Sequence, residues 1–449
     1  MSRHPEVSDR RPARRRTELG LIVLAVVITG GLYAIAGEGK SASLPANLVA
    51  FLGVIFGLLF IAHLGMRWLA PDADPIILPV AGLLNGIGYV FIARLDVAGK
   101  SSYAGQQAAW SAIGVAAFLA TLFFVRRGRD LDRFRYTFAL AGAALLLMPL
   151  VPGIGEDING ARLYVHLVVL SFEPSEAAKI MLAIFFASIL VDRADLLRSG
   201  TRRIGRFLVL DPKYIAPVLL AWGFSLIVLT AENDLGSSFL FFALFIGLLF
   251  VATGRYMYLV LGGTLFGGGA VLALRFIGHA QSRVHGWLDP WAHANGSGYQ
   301  IIQGWLGIAD GGAFGLGPGQ GSPNIIPEAQ TDFIFATIAE EIGLFGVTAL
   351  LIGVLLMVGS GLRIAMRARR GFEKLLATGL SLILGVQTFV IVGGVTRLIP
   401  LTGITFPFVA YGGSSLVANY VLIAVLLRIS NDTNTDAEAF IPAASLAVA

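Results

Sequence analysis

The stretch LGSSFLFFALFIGLLFVA, residues 235–252, decides the fold. It carries no charge. At a rise of about 1.5 Å per residue, a helix of this length crosses most of a hydrocarbon core about 30 Å thick. Apolar runs recur from one end of the chain to the other, and they place spans at 19–37, 47–69, 75–94, 106–125, 136–151, 175–191, 214–231, 235–252, 257–277, 331–359, 375–394 and 405–427. Composition agrees. Of 449 residues, 56% are hydrophobic and 14% charged, where a soluble chain carries roughly a quarter charged. The expectation is an all-α polytopic membrane protein of about twelve transmembrane helices, a single membrane domain rather than a string of soluble ones.

The placement of charge orients the helices. Met1 to Arg16 holds six arginines and no apolar run. That pattern reads as a disordered basic tail beside anionic lipid and not as a cleavable signal. A nucleic-acid arm is the rival reading, but a basic tail next to a span usually sets topology, so no nucleic-acid partner is expected. With the amino terminus in the cytoplasm, the basic connections 126–135, 192–213 and 363–374 all fall on the cytoplasmic side, as the positive-inside rule requires. Arg94, Lys100, Arg162, Arg283 and Arg397 fall outside, against that bias. They are candidates for function, and Arg94 and Lys100 serve equally well as helix-end anchors. The absence of cysteine excludes disulfides, thiol catalysis and cysteine metal sites.

Two outer segments are too long for turns: Pro152 to Pro174, and about Gly278 to Gln330. The second is rich in Gly, Trp, Tyr, Asp and Gln, and is expected to be ordered. Ionisable groups at membrane depth are expensive and need a reason. Glu176 and Lys179 are three apart on one helix face, either as a structural ion pair or as a cavity lining. Asp234, in Glu232-Asn233-Asp234-Leu235-Gly236-Ser237, either caps the next helix or points into a cavity. The long loop brings Arg283, Trp287, Asp289, Trp291, His293, Tyr299, Gln300 and Gln303. Aromatics, amides and a cation in a glycine-shaped loop suit a sugar, whose hydroxyls want planar amides and whose apolar faces want rings. His279, His285 and His293 match no standard metal spacing. The run Gly315 to Gly321 lacks the Lys-Ser/Thr ending of a nucleotide loop. After it, Asp332, Glu340 and Glu341 enter a span directly, which a water-filled groove would explain. Arg397 precedes a stretch, Pro400 to Ser415, whose Gly and Ser residues permit close helix approach.

Taken in order, Phe172-Glu173-Pro174-Ser175-Glu176 with Lys179, Asn233-Asp234-Leu235-Gly236-Ser237, Gly296-Ser297-Gly298-Tyr299-Gln300, Pro327 to Phe335 and Thr402 to Ser415 resemble the SEDS family (shape, elongation, division and sporulation) of the RodA and FtsW type, from about Leu78 to Arg428. The family core has ten spans, so the first two helices look like an amino-terminal addition similar to that of actinobacterial RodA-like members. The divisions expected are a basic cytoplasmic tail (1–18), two added helices (19–73), a core (74–428) with its extracytoplasmic loop (278–330), and a cytoplasmic tail (429–449).

The resemblance implies a peptidoglycan glycosyltransferase of the bacterial inner membrane, active on the outer side. Such an enzyme polymerises lipid II into a nascent glycan strand beside a class B penicillin-binding protein. Arg162, Lys179, Arg283 and Arg397 are then candidates to stabilise the leaving diphosphate, with Glu176, Asp234, Tyr299, Gln300, Gln303, Asp332 and Glu340 binding substrate. A divalent ion, Mg2+ or Mn2+, suits the diphosphate, and no organic cofactor is implied. The family's catalytic aspartate follows the loop's proline in a Pro-x-x-Asp arrangement, and His293 stands there in this chain. Glu173 stands where the family usually has Gln, and Glu232-Asn233 where it has Gln-Pro. Three readings stay open: His293 is the base, Asp289 takes over, or the chain is an inactive scaffold. A lipid-linked precursor flippase is a further alternative, though no pair of inverted broken helices supports it.

Overall fold

The computed structural model describes residues 7–41, 48–99, 102–152, 154–158, 161–167, 170–199, 201–204, 207–210, 216–217, 219–224, 227 and 234–439. In chain order the helices are α1 (Val7–Ser41), α2 (Leu48–Leu69), α3 (Ile77–Gly99), α4 (Tyr103–Phe124), α5 (Arg135–Leu147), α6 (Pro174–Ser199), α7 (Leu235–Thr253), α8 (Tyr256–Phe276), α9 (Gly278–Leu288), α10 (Tyr299–Gly311), α11 (Ile334–Arg367), α12 (Gly371–Val395) and α13 (Gly413–Ala439). Among the described residues, nine of these are long and apolar enough to cross a membrane. Half of the expected span over 214–231 lies outside the described residues.

The buried face of α4 shows how the bundle is read from sequence. Gln107, Ser111, Gly114, Val115, Phe118 and Leu122 recur at helical spacing and turn inward against α13. Likewise α11 packs along α12, α5 along α6 and α1 along α3. Close approach needs small residues, because lipid tails offer no hydrophobic drive between helices. A Cβ on Gly88 of α3 would stand 2.1 Å from the Val409 carbonyl oxygen.

Several expectations are corrected. The helix of α1 begins at Val7, inside the segment expected to be a loose tail. Arg15 is buried there, paired with Glu18, and donates through Nε to the Pro71 carbonyl (3.1 Å). Glu18 in turn meets His63 Nδ1 on α2 at 2.9 Å. The last span starts at Gly413, not 405, because Pro407 and a left-handed Phe408 (φ 63°) break helical geometry before it. At its other end α13 runs on to Ala439. There Asn431 and Ser430 accept from the backbone of Asp72 (2.9 Å) and Asp74 (3.0 Å), which ties the core's last helix to the connection between α2 and α3. We call this end of the bundle the basic face, and the end carrying α9 and α10 the loop face.

On the loop face, the first outer segment folds into a small antiparallel sheet, β1 (Gly155–Ile158), β2 (Ala161–Leu167) and β3 (Leu170–Phe172), in the order β1-β2-β3. The helical fold expected from sequence lacked it. A separate hairpin, β4 (Thr201–Ile204) and β5 (Phe207–Leu210), follows α6. The second outer segment is ordered, as its composition predicts: α9 and α10 are followed by the glycine run and a turn of 3-10 helix at Pro323–Ile325.

A break in α11 shapes this face. Gly343 sits at φ 67°, so the helix has a short buried arm from Ile334 to Glu341 and a long membrane arm after it. Breaking a helix frees backbone groups, which lipid cannot satisfy. The chain from Gly312 to Gly317 fills the gap. Leu344 and Phe345 donate to the Gly312 and Ala313 carbonyls (3.0 and 3.1 Å), while Leu316 and Gly317 donate to those of Glu340 and Glu341 (2.9 and 3.0 Å).

Candidate active site

The site is built on the start of α6. Pro174 occupies the first helical position, where its missing donor costs nothing. Glu176 and Lys179 follow on one face, 4% and 1% exposed. The Lys179 ammonium donates to Glu176 and, at 3.0 Å, to Gln387 Oε1 on α12. Gln387 passes the link on, donating from Nε2 to the Thr405 carbonyl (2.9 Å), and Thr405 Oγ1 donates to Ser415 Oγ on α13 (2.8 Å). The Glu173 amide donates to Ser414 Oγ (2.9 Å), and Ser175 Oγ donates to the Glu173 carboxyl (2.8 Å). The starts of α6 and α13 and the middle of α12 are thus stitched together by polar side chains. Sequence reading missed Gln387, although a lone amide inside an apolar span was the signal.

Asp234 caps α7, accepting from the amides of Gly236 (2.9 Å) and Ser237 (3.1 Å). Of its two expected roles the structure shows the cap; its charge also acts on Glu173 and Arg283 nearby. Burial raises the Glu173 carboxyl to about 8, and the carboxylates of Glu176 and Asp234 add to the rise. Near neutral pH Glu173 is therefore mostly protonated, which makes it close in shape and charge to the glutamine the family resemblance led one to expect there.

Arg283 reaches in from α9. It donates to the Leu401 carbonyl (3.1 Å) and lies against Gly403, whose left-handed backbone (φ 79°) leaves the room. Burial lowers its pKa, and Asp234 and Asp332 work against that. Asp332 is itself raised to about 6, chiefly by burial, though its own backbone and Thr331 hydrogen-bond its carboxyl. Gln300 Nε2 donates to the Pro327 carbonyl at 3.3 Å and lies 3.5 Å from Asp332. Tyr299 is exposed at the start of α10 and Gln303 is half-buried one turn on. The side chain of Arg162, on β2, lies outside the described residues, as do Asn159, Gly160, Glu232, Asn233 and Lys100.

Beside Asp234 and Arg283 opens an apolar cavity of about 310 Å3. Leu235 and Ser238, just after Asp234, form one wall, and Ala280 and Val284, flanking Arg283, form another; Phe239, Phe266 and Trp222 line it further. A polar centre and a greasy slot share one rim.

His293 and Asp289 occupy the exposed turn between α9 and α10. The His293 carbonyl accepts from the amides of Gly296 (2.9 Å) and Gly298 (3.1 Å), so it is the pivot of the turn. Its Nδ1 lies 3.0 Å from the Asp289 carbonyl oxygen. A carbonyl only accepts, so the proton sits on Nδ1 and the lone pair is on Nε2. The Asp289 carboxylate is engaged by the Ala292 amide (3.1 Å). His285 lies nearby, its ring tilted by 35° and its centroid 5.9 Å from that of His293.

Two of the expected substrate residues make bonds that hold the fold. Arg397 Nε donates to the Trp287 carbonyl (2.6 Å), its guanidinium covers Trp305 at 5.2 Å, and Trp287 Nε1 returns a bond to its carbonyl (3.0 Å). That clamp holds α9 against the segment after α12. Glu340 accepts from the Ser322 amide (2.7 Å) and Glu341 from that of Gly319 (2.8 Å). Arg94 donates to the Gly319 and Gly321 carbonyls (2.8 and 3.1 Å) and stands 3.4 Å from Glu341. The buried acids therefore hold the glycine run through one oxygen each, and the second oxygen of each is buried without a hydrogen-bond partner among the described residues.

A polytopic helical bundle with a polar centre under an ordered loop defines the class. The family described as FTSW_RODA_SPOVE, cell cycle protein, matches residues 75–435, and the chain belongs to it. The protein called peptidoglycan glycosyltransferase RodA in Mycobacterium tuberculosis is 43% identical over 428 residues, covering 94% of this chain and 91% of its own. A probable peptidoglycan glycosyltransferase FtsW of Geobacter sp. is 36% identical, covering 64% of this chain and 76% of its own. Among solved structures, one described as "Structural coordination of polymerization and crosslinking by a peptidoglycan synthase complex" superposes with a TM-score of 0.64 at 26% identity, covering 80% of this chain and 98% of that one.

Proposed function

We propose that this chain is a peptidoglycan glycosyltransferase that polymerises lipid II, with His293 as the base. The observation that carries the reading is the shared rim of the apolar cavity and the polar centre. A substrate with an isoprenoid tail and a charged, sugar-bearing head needs both surfaces side by side. The acceptor hydroxyl gives its proton to Nε2 of His293 as its oxygen attacks the anomeric carbon. The bond to the diphosphate breaks, and Arg283 and Lys179 meet the charge that develops. Asp289 serves the base through its carbonyl, which fixes the tautomer. Among the described residues no three His, Asp or Glu side chains converge as metal ligands, so no step is routed through a metal; Mg2+ or Mn2+ would travel with the diphosphate.

The charge bias of the connections supports a cytoplasmic basic face and an extracytoplasmic loop face. Family membership supports partnership with a class B penicillin-binding protein, whose transpeptidase would crosslink the emerging strand.

The test supplies purified protein, its candidate transpeptidase, Mg2+ or Mn2+ and labelled lipid II, with moenomycin to silence unrelated polymerases. Long glycan is expected, and His293→Ala should slow it by about 100-fold or more. Undiminished product from that variant would remove His293 as the base. Absence of product from the native chain, where another family member makes product, would favour a scaffold.

A further inference from the structure

On the basic face, α11 ends beside the extension of α13. Arg363 and Arg367 stand one turn apart on α11, both exposed, and neither has a hydrogen bond or ion pair among the described residues. Together with Ser430 and Thr433 of α13, and Asp74 from the connection between α2 and α3, they line a narrow cleft. Thr433 is only 7% exposed and its hydroxyl has no partner. Ser430 Oγ accepts from the Asp74 amide at 3.0 Å, which leaves its own proton free to donate. A buried hydroxyl without a partner is unfavourable, so its retention beside two unpaired guanidinium groups points to an absent acceptor.

The chemistry of that acceptor follows from the donors. Two guanidiniums and two hydroxyls suit the oxygens of a phosphate. Asp74 on the rim repels a dianion more than a monoanion, which favours a phosphodiester over a phosphomonoester. Next to the arginines on α11, Leu362 and Met366 are 37% and 73% exposed, within the helix that crosses the membrane. A ligand whose head enters the cleft therefore has an apolar surface for its chains. Basic pockets between transmembrane helices at the cytoplasmic surface take lipid head groups in this way.

We propose that this cleft binds the phosphodiester head group of an anionic phospholipid. It rests on the topology above only for the name of the leaflet, and its failure would leave the polymerase reading untouched. The full chain is placed in phosphatidylcholine nanodiscs with a small fraction of fluorescent phosphatidylglycerol, and the retained label is measured. The native protein should hold one labelled lipid per chain. Arg363→Gln with Arg367→Gln should weaken retention about thirty-fold, at about a kilocalorie per mole for each cation. Thr433→Val, which changes no charge, should weaken it about threefold or more. Arg126→Gln with Arg127→Gln removes the same charge elsewhere on that face and should change little. Equal loss in both arginine pairs, with none in Thr433→Val, would reduce the effect to diffuse surface charge and overturn the proposal. Displacement of the label by millimolar inorganic phosphate would overturn it too, by assigning the cleft to a soluble anion.

Discussion

Two groups of buried acids on the loop face are handled in opposite ways. Glu340 and Glu341 each give one oxygen to the chain's own backbone, the amides of Ser322 and Gly319, with Arg94 as counter-charge to Glu341. Glu173 and Glu176 instead bond to the side chains of Ser175 and Lys179, with the cap Asp234 and with Arg283 close enough to shift their charges. Bonds to backbone fix a loop in one shape. Side-chain bonds among closely spaced carboxyl groups leave protons and charges that a substrate can shift. The first group builds the fold and the second is the one the proposed chemistry uses, though both look like costly acids in the sequence.

The contrast is most easily broken at Arg94. Arg94→Ala leaves buried Glu341 unpaired and releases the glycine run, so unfolding in detergent should show a loss of about 3–5 kcal/mol. A loss under about 1 kcal/mol would mean that the first group is not structural. The second group predicts a split between stability and turnover. Lys179→Met with Glu176→Leu removes a buried pair together and should cost no more than about 1–2 kcal/mol, while glycan synthesis falls by about 100-fold. If both quantities fell together, the two groups would be of one kind.

A subtler distinction comes from Glu173, held at about 8 against an ordinary value of 4.5. The folded chain binds this proton more tightly than the unfolded chain does. Its stabilising effect is therefore complete below about pH 4.5 and is lost as pH rises through about 8. Glu173→Gln should flatten that part of the stability profile, measured as Tm against pH, and leave the neutral-pH structure intact. An unchanged slope would place its titration elsewhere. The smallest effect is expected at Asp289. Asp289→Asn keeps the carbonyl that fixes His293, so polymerisation should change by about twofold at most; a much larger loss would transfer the base to its carboxylate.

How much could be read in advance follows the range of the interactions. The spans are local properties of 20-residue windows, and the Glu176–Lys179 pair follows from helical spacing. Glu340 and Arg397 look like site residues because their partners, Ser322 and Trp287, are brought to them by chain closure over many residues. The late start of α13 hides in backbone angles at Phe408 that no apolar count reports. Arg15 reads as tail because its charge is visible in sequence while Glu18, Pro71 and burial are not visible as its partners.

The broken helix at Gly343 carries one more consequence. Its exposed peptide groups are matched one for one by the segment from Gly312 to Gly317, so helix and loop interlock like a key in a ward. Neither part can travel alone. A pull on the outer loop from any protein that grips it would be delivered, without slack, to the membrane arm of α11 and on towards its far end, and a single inserted residue in the glycine run would put the teeth out of step.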